Sequence, residues 1–179
     1  MIEAELKADV RQPEQVAAQL RRWADEDTSI YRDTYYESAD HALGSDGRQL
    51  RVRTISGATT KHLLTYKEPS VDIESQSKPE YETQIIDRDV IDYTLLGIGM
   101  VVDISFEKHC RNYQLNRDGR RFLASLVQVP EIDQSVFIEI ETMVPNVNGP
   151  AAALESIRKL LTELGIDPAT DVNSRTYQD

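Results

Sequence analysis

The sequence predicts an α+β fold in which a large antiparallel sheet carries helices on its outer side. Three observations lead there. Segments at 2–8, 29–37, 49–55, 61–67, 79–86, 101–115, 120–129 and 136–142 alternate with period two, the signature of a strand whose two faces meet different surroundings. Most of the joins between them are short and hold residues that tolerate positive φ: Gly44-Ser45-Asp46-Gly47, Gly57 and Asn116-Arg117-Asp118-Gly119. Such joins make hairpins, whereas parallel strands need crossovers of a dozen residues or more. Helical periodicity is confined to 13–23, 88–96 and 150–164.

Each element has its own justification. Strand 2–8 places Ile2, Ala4 and Leu6 on one face and Glu3, Glu5 and Lys7 on the other. The helix over 13–23 opens with Pro13 in its first turn and sets Val16, Leu20 and Trp23 on one stripe. Strand 49–55 alternates Leu50 and Val52 with Arg51 and Arg53, and strand 79–86 sets Glu80 and Glu82 around Tyr81. The helix over 88–96 contributes Ile91 and Leu95 before Gly97 stops it. Strand 136–142 alternates Ile138 and Ile140 with Glu139 and Glu141. The last helix lines up Leu154, Ile157, Leu161 and Leu164 and ends at Gly165, suited to a left-handed cap.

Composition bounds the function. At 179 residues the chain reads as one domain, 1–179, large enough for a core without staples. With 31 acidic against 20 basic residues it carries a net charge of -11, which excludes a generally basic nucleic-acid binder. Lysine occurs only at 7, 61, 67, 78, 108 and 159. Cys110 is the single cysteine, so neither an internal disulfide nor a multi-cysteine metal site is available. His41, His62 and His109 have no zinc spacing. No apolar run approaches the roughly 18 residues of a membrane span, and the N-terminus has no signal-peptide pattern. The expectation is a cytoplasmic protein with neither a membrane nor a nucleic acid as partner.

A solvated face explains alternation but not segregation by sign. Like charges two residues apart on one face repel, and a merely wet strand would mix them. Here Glu3-x-Glu5, Glu80-x-Glu82 and Glu139-x-Glu141 collect carboxylates, while Arg51-x-Arg53 collects guanidinium groups. Carboxylates hold hard divalent cations, and arginine forks and lysine ammonium groups hold phosphate oxygens. The pattern points to a site for Mg²⁺ or Mn²⁺ together with a polyphosphate.

At these residues the chain resembles the CYTH superfamily, the triphosphate tunnel proteins, which include class IV adenylyl cyclases and thiamine triphosphatases. Glu3-Ala4-Glu5-Leu6-Lys7 matches the family's Glu-x-Glu-x-Lys opening. Arg32-Asp33-Thr34-Tyr35-Tyr36-Glu37, Leu50-Arg51-Val52-Arg53, Leu64-Thr65-Tyr66-Lys67, Glu80-Tyr81-Glu82, Lys108-His109-Cys110-Arg111 and Phe137-Ile138-Glu139-Ile140-Glu141 follow in the family's order. Ser174-Arg175-Thr176-Tyr177 resembles its C-terminal Ser-Tyr segment. The resemblance implies a closed eight-stranded antiparallel β-tunnel with helices outside and the charged faces inward.

It also implies roles. Arg51, Arg53, Lys67, Lys108 and Arg111 would bind the triphosphate, Glu3, Glu5, Glu139 and Glu141 the metal, and Lys7 with Glu5 would assist catalysis. Glu80 and Glu82 would be further tunnel carboxylates. Cys110, next to Arg111, would point away from the lumen. In one place the chain departs from the family: where Leu-Asp-x-Val is usual it has Leu126-Val127-Gln128-Val129, so that Asp133 or Glu131 could replace the aspartate only through a shifted register. The expected function is a cyclase converting ATP to cyclic AMP and pyrophosphate. The alternatives are a thiamine or inorganic triphosphatase and a non-catalytic polyphosphate-binding module. A homodimer is left open.

Overall fold

The computed structural model describes residues 1–71, 77–131, 133–146 and 149–173, with the backbone alone at 133–134. The elements are β1 (Ile2–Asp9), α1 (Pro13–Leu20), β2 (Glu26–Ser38), α2 (Ala42–Ser45), β3 (Gln49–Ser56), β4 (Thr60–Lys67), β5 (Lys78–Ile85), α3 (Arg88–Gly97), β6 (Met100–Arg117), β7 (Arg120–Val129), β8 (Asp133–Val144), α4 (Pro150–Glu163) and β9 (Val172–Asn173). The segment 174–177, which carries the C-terminal motif, lies outside the described residues.

The strands run β5-β4-β3-β2-β6-β7-β8-β1, and β1 pairs back onto β5 to close an eight-stranded barrel. All pairings are antiparallel. The closing seam is short: Ile2 faces Pro79, Glu3 faces Lys78, and the Glu80 amide donates to the Met1 carbonyl at 2.9 Å. Further along, β9 takes over the same edge of β1, with Lys7 facing Asn173 and Ala8 facing Val172. Two-residue β9 and single-turn α2 were not predicted, because neither is long enough to leave a periodic pattern. Helix α1 ends at Leu20, short of the predicted 23, yet Trp23 still packs against the core, under the Arg117 guanidinium 4.6 Å from its ring centre.

The outer faces of β1, β7 and β8 supply the main core. Ile2, Ala4, Leu6, Ala124, Ile138 and Ile140 pack against Val16 and Leu20 of α1 and Leu154, Ile157 and Leu161 of α4. Each fully buried valine, leucine or isoleucine side chain contributes about 1.5–3 kcal/mol by leaving water. On another side, Leu95 of α3 packs on Tyr36 and Val52. Because helices cover the apolar faces, the alternate, charged residues of the same strands turn inward.

Candidate active site

Residues directly opposite in an antiparallel ladder share a face, so the register assigns the lumen. Glu5 faces Glu141, and Lys7 faces Glu139, which faces Ser125 and then Asn112. Arg53 faces Asp33, which faces Phe106; Tyr35 faces Arg51, which faces Thr65, which faces Glu82. Lys67 faces Glu80, and Lys108 faces Tyr31. The barrel therefore gathers Glu3, Glu5, Lys7, Arg51, Arg53, Lys67, Glu80, Glu82, Lys108, Glu139 and Glu141 on one interior.

The cations are held in defined pairs. Arg53 grips Asp33 through two bonds, Nε to Oδ1 and Nη2 to Oδ2, both 2.6 Å. Arg51 Nη1 lies 3.8 Å from Asp33, and Arg51 Nη2 donates to the Thr65 hydroxyl at 3.4 Å. That hydroxyl donates in turn to Glu82 at 2.8 Å. Lys67 bridges Glu3 and Glu80, the latter at 2.9 Å, and Lys108 lies 3.2 Å from both oxygens of Glu139. The Arg51 Nε–H is buried and has no acceptor among the described residues. A buried guanidinium donor left unsatisfied carries a free-energy penalty that an anionic oxygen would remove.

Beside Lys67, Glu3, Glu5 and Glu141 each present a carboxylate oxygen within 4.8 Å of the others. Burial, then Glu139 and Glu3, push Glu5 up to about 7. Burial, then Glu3 and Glu5, hold Glu141 well above the carboxylate range. Burial alone would raise Glu3 too, but the ammonium of Lys67, joined by the charges of Arg51 and Arg53, outweighs it and holds this carboxyl low. Burial also lowers Lys7. Three hard oxygen donors that resist sharing negative charge fit a divalent cation, which would favour ionisation of all three.

Several placements differ from the sequence-based expectation. Arg111 is not in the lumen: it lies on the outer face, bound to Glu14 at 2.7 Å and to Glu26 at 3.1 Å. Residues three apart on a strand point to opposite faces, so Lys108 and Arg111 could not both turn inward. Cys110, two residues from Lys108, shares its inward face, packed with Tyr35, Phe106, Val127 and Val129, and burial pushes its thiol up to about 12. Glu139 pairs with Lys108, and Glu141 is the β8 residue that joins the three-carboxylate cluster. Where the family's aspartate was expected, Val127 points inward among apolar neighbours. Glu131 is exposed, and the Asp133 side chain lies outside the described atoms. The expected-site residues omitted Asp33, the fully buried anchor of both arginines, although its parity with Tyr35 marks the inward face.

A closed antiparallel barrel with helices outside and an ionised lumen defines the class. The chain matches the CYTH domain over residues 1–177 and belongs to that family. It is 24% identical over 168 residues to a protein of Methanocaldococcus jannaschii named "putative adenylate cyclase", covering 93% of this chain and 91% of that one. A solved structure from Pyrococcus horikoshii is 26% identical with a TM-score of 0.82, covering 98% of this chain and 95% of the other. A protein from Hippeastrum, named "putative adenylyl cyclase" and described as having a dominant triphosphatase activity, has 19% identity and a TM-score of 0.64, with 92% and 88% coverage.

Proposed function

We propose that the barrel is a metal-dependent enzyme site for a nucleoside triphosphate, and that it turns ATP into cyclic AMP and pyrophosphate. The observation that carries this reading is the juxtaposition of Glu3, Glu5 and Glu141 with an inward set of cations that includes the unsatisfied Arg51 Nε–H. Glu3, Glu5 and Glu141 would hold Mg²⁺ or Mn²⁺, which when bound neutralises phosphate charge and favours an ionised attacking oxygen. Arg51, Arg53, Lys67 and Lys108 bind and orient the phosphate oxygens; positioning and charge stabilisation make up most of phosphoryl-transfer catalysis. Glu5 takes the proton of the ribose 3′-hydroxyl at a carboxylate oxygen. The 3′-oxygen forms its bond to the α-phosphorus as the bond to pyrophosphate breaks, and Lys7 offsets the charge that develops. The name of the Methanocaldococcus jannaschii relative supports the choice of reaction.

The Hippeastrum relative favours a second reading, in which water attacks the terminal phosphorus of the same bound group. The deciding experiment incubates pure protein with ATP, thiamine triphosphate and inorganic triphosphate, each with Mg²⁺ and with Mn²⁺, and identifies products by mass spectrometry. Cyclic AMP with pyrophosphate supports the first reading and orthophosphate the second. Metal-independent binding without turnover overturns both.

A further inference from the structure

Lys78 opens β5 with the same parity as Glu80 and Glu82, and is the register partner of Glu3 across the closing seam. It is half-buried and faces the interior. The two carboxylates beside it, Glu3 and Glu80, are both bound by Lys67. The Lys78 ammonium donates instead to a neutral acceptor, the Gly47 carbonyl, at 3.1 Å, and makes no ion pair among the described residues. Burial, then the charge of Lys67, disfavour its protonated form, with only Glu3 opposing them. A half-buried ammonium next to a second ammonium is unfavourable in the empty site, and an arriving anion reverses the sign of that interaction.

The position of Lys78 in the wall gives it a direction. Cations follow one another on β3 (Arg53 and Arg51), β4 (Lys67) and β5 (Lys78), and β5 adjoins β1, which carries Glu3 and Glu5. Lys78 thus stands where the row of cations meets the carboxylate cluster. We propose that Lys78 is a further phosphate-binding residue of the tunnel, closing the cationic row at its β5 end and extending it to a third phosphate. The inference rests on the triphosphate reading of the site. On binding, the ammonium exchanges the Gly47 carbonyl for a phosphate oxygen, a charge-assisted contact in place of a neutral one. A merely structural role, fastening Gly47 and the α2 loop to β5, is the competing account.

Lys78→Gln separates the two, because it removes the charge and keeps an N–H donor, one bond shorter, on the side of the Gly47 carbonyl, while Lys78→Met removes both charge and donor. Inorganic triphosphate and pyrophosphate are titrated calorimetrically into wild type and both variants, with and without Mn²⁺, and ligand-free melting is recorded. The expected result is a loss of about tenfold in triphosphate affinity for both variants, with a smaller loss for pyrophosphate. Ligand-free melting of Lys78→Gln stays level or rises, since repulsion from Lys67 is relieved. Lys78→Gln binding triphosphate as tightly as wild type overturns the inference and leaves the tunnel reading standing. Equal losses for the two ligands overturn its assignment to the third phosphate. Wild type failing to bind triphosphate at all overturns both.

Discussion

Asp33→Asn tests the internal logic of the tunnel most directly. Asp33 is 0% exposed and accepts two 2.6 Å bonds from Arg53, with Arg51 at 3.8 Å. The asparagine keeps the shape but removes the charge, and its NH₂ group faces N–H donors. Arg53 then loses its buried counter-charge and Arg51 one of two, Glu82 remaining at 3.9 Å, and breaking such a pair from one side costs about 3–5 kcal/mol. For a domain of this size that is a fall in Tm of roughly 6–20 °C. Urea unfolding of the metal-free protein at pH 7 measures it, with the midpoint shifting at constant slope. Burial works to raise the Asp33 pKa, but Arg53 and Arg51 overcome it and hold the carboxyl far below its ordinary range. A group with a depressed folded pKa contributes stability above its unfolded value, about 3.9, and loses it as pH falls through the folded value. The gap between wild type and variant therefore narrows in acid below about pH 4. Inorganic triphosphate should raise the midpoint of Asp33→Asn more than that of wild type, because it restores a counter-charge to Arg51 and Arg53. A variant within about 1 kcal/mol of wild type would refute the claim that this carboxylate holds the two arginines.

Three further outcomes are expected. Glu141→Gln removes one of three mutually repelling carboxylates, so metal-free Tm should hold or rise while calorimetric Mn²⁺ affinity drops; Glu139→Gln should instead lower Tm, because it strips Lys108 of its partner. Glu5 keeps its proton in the folded chain up to about 7 against an ordinary 4.5, so metal-free stability should decline as pH rises from about 4.5 to 7 and level off above. Over the same interval Mn²⁺ should bind more tightly with release of protons, read by calorimetry in buffers of different ionisation enthalpy; a flat affinity from about pH 5 to 8 would remove Glu5 from the metal site. Arg51→Ala should weaken triphosphate binding by roughly ten- to 150-fold, and monophosphate binding less, since one charge-assisted contact is worth about 1.5–3 kcal/mol; equal affinities would take Arg51 out of the clamp.

The period-two alternation determined which side chains travel together. That is a local property: once a segment is extended, Glu3, Glu5 and Lys7 share a face whatever surrounds them. Segregation by sign then marked that face as a site, and the apolar stripe of 150–164 named the helix that covers the opposite one. The same rule, applied strictly, would have kept Arg111 out of the lumen and turned Cys110 in, because a spacing of three changes face and a spacing of two does not. What alternation cannot supply is the partner across the barrel. Lys67 meets Glu3, 64 residues away, and Lys108 meets Glu139, 31 residues away, only because strand order and register bring them to one place. Those separations decided that Glu141 joins Glu3 and Glu5 while Glu139 neutralises Lys108, a division invisible in two glutamates of one strand. They also decided the ionisation of the site: desolvation and the distance to the next charge set each pKa, and both are created only when the sheet closes.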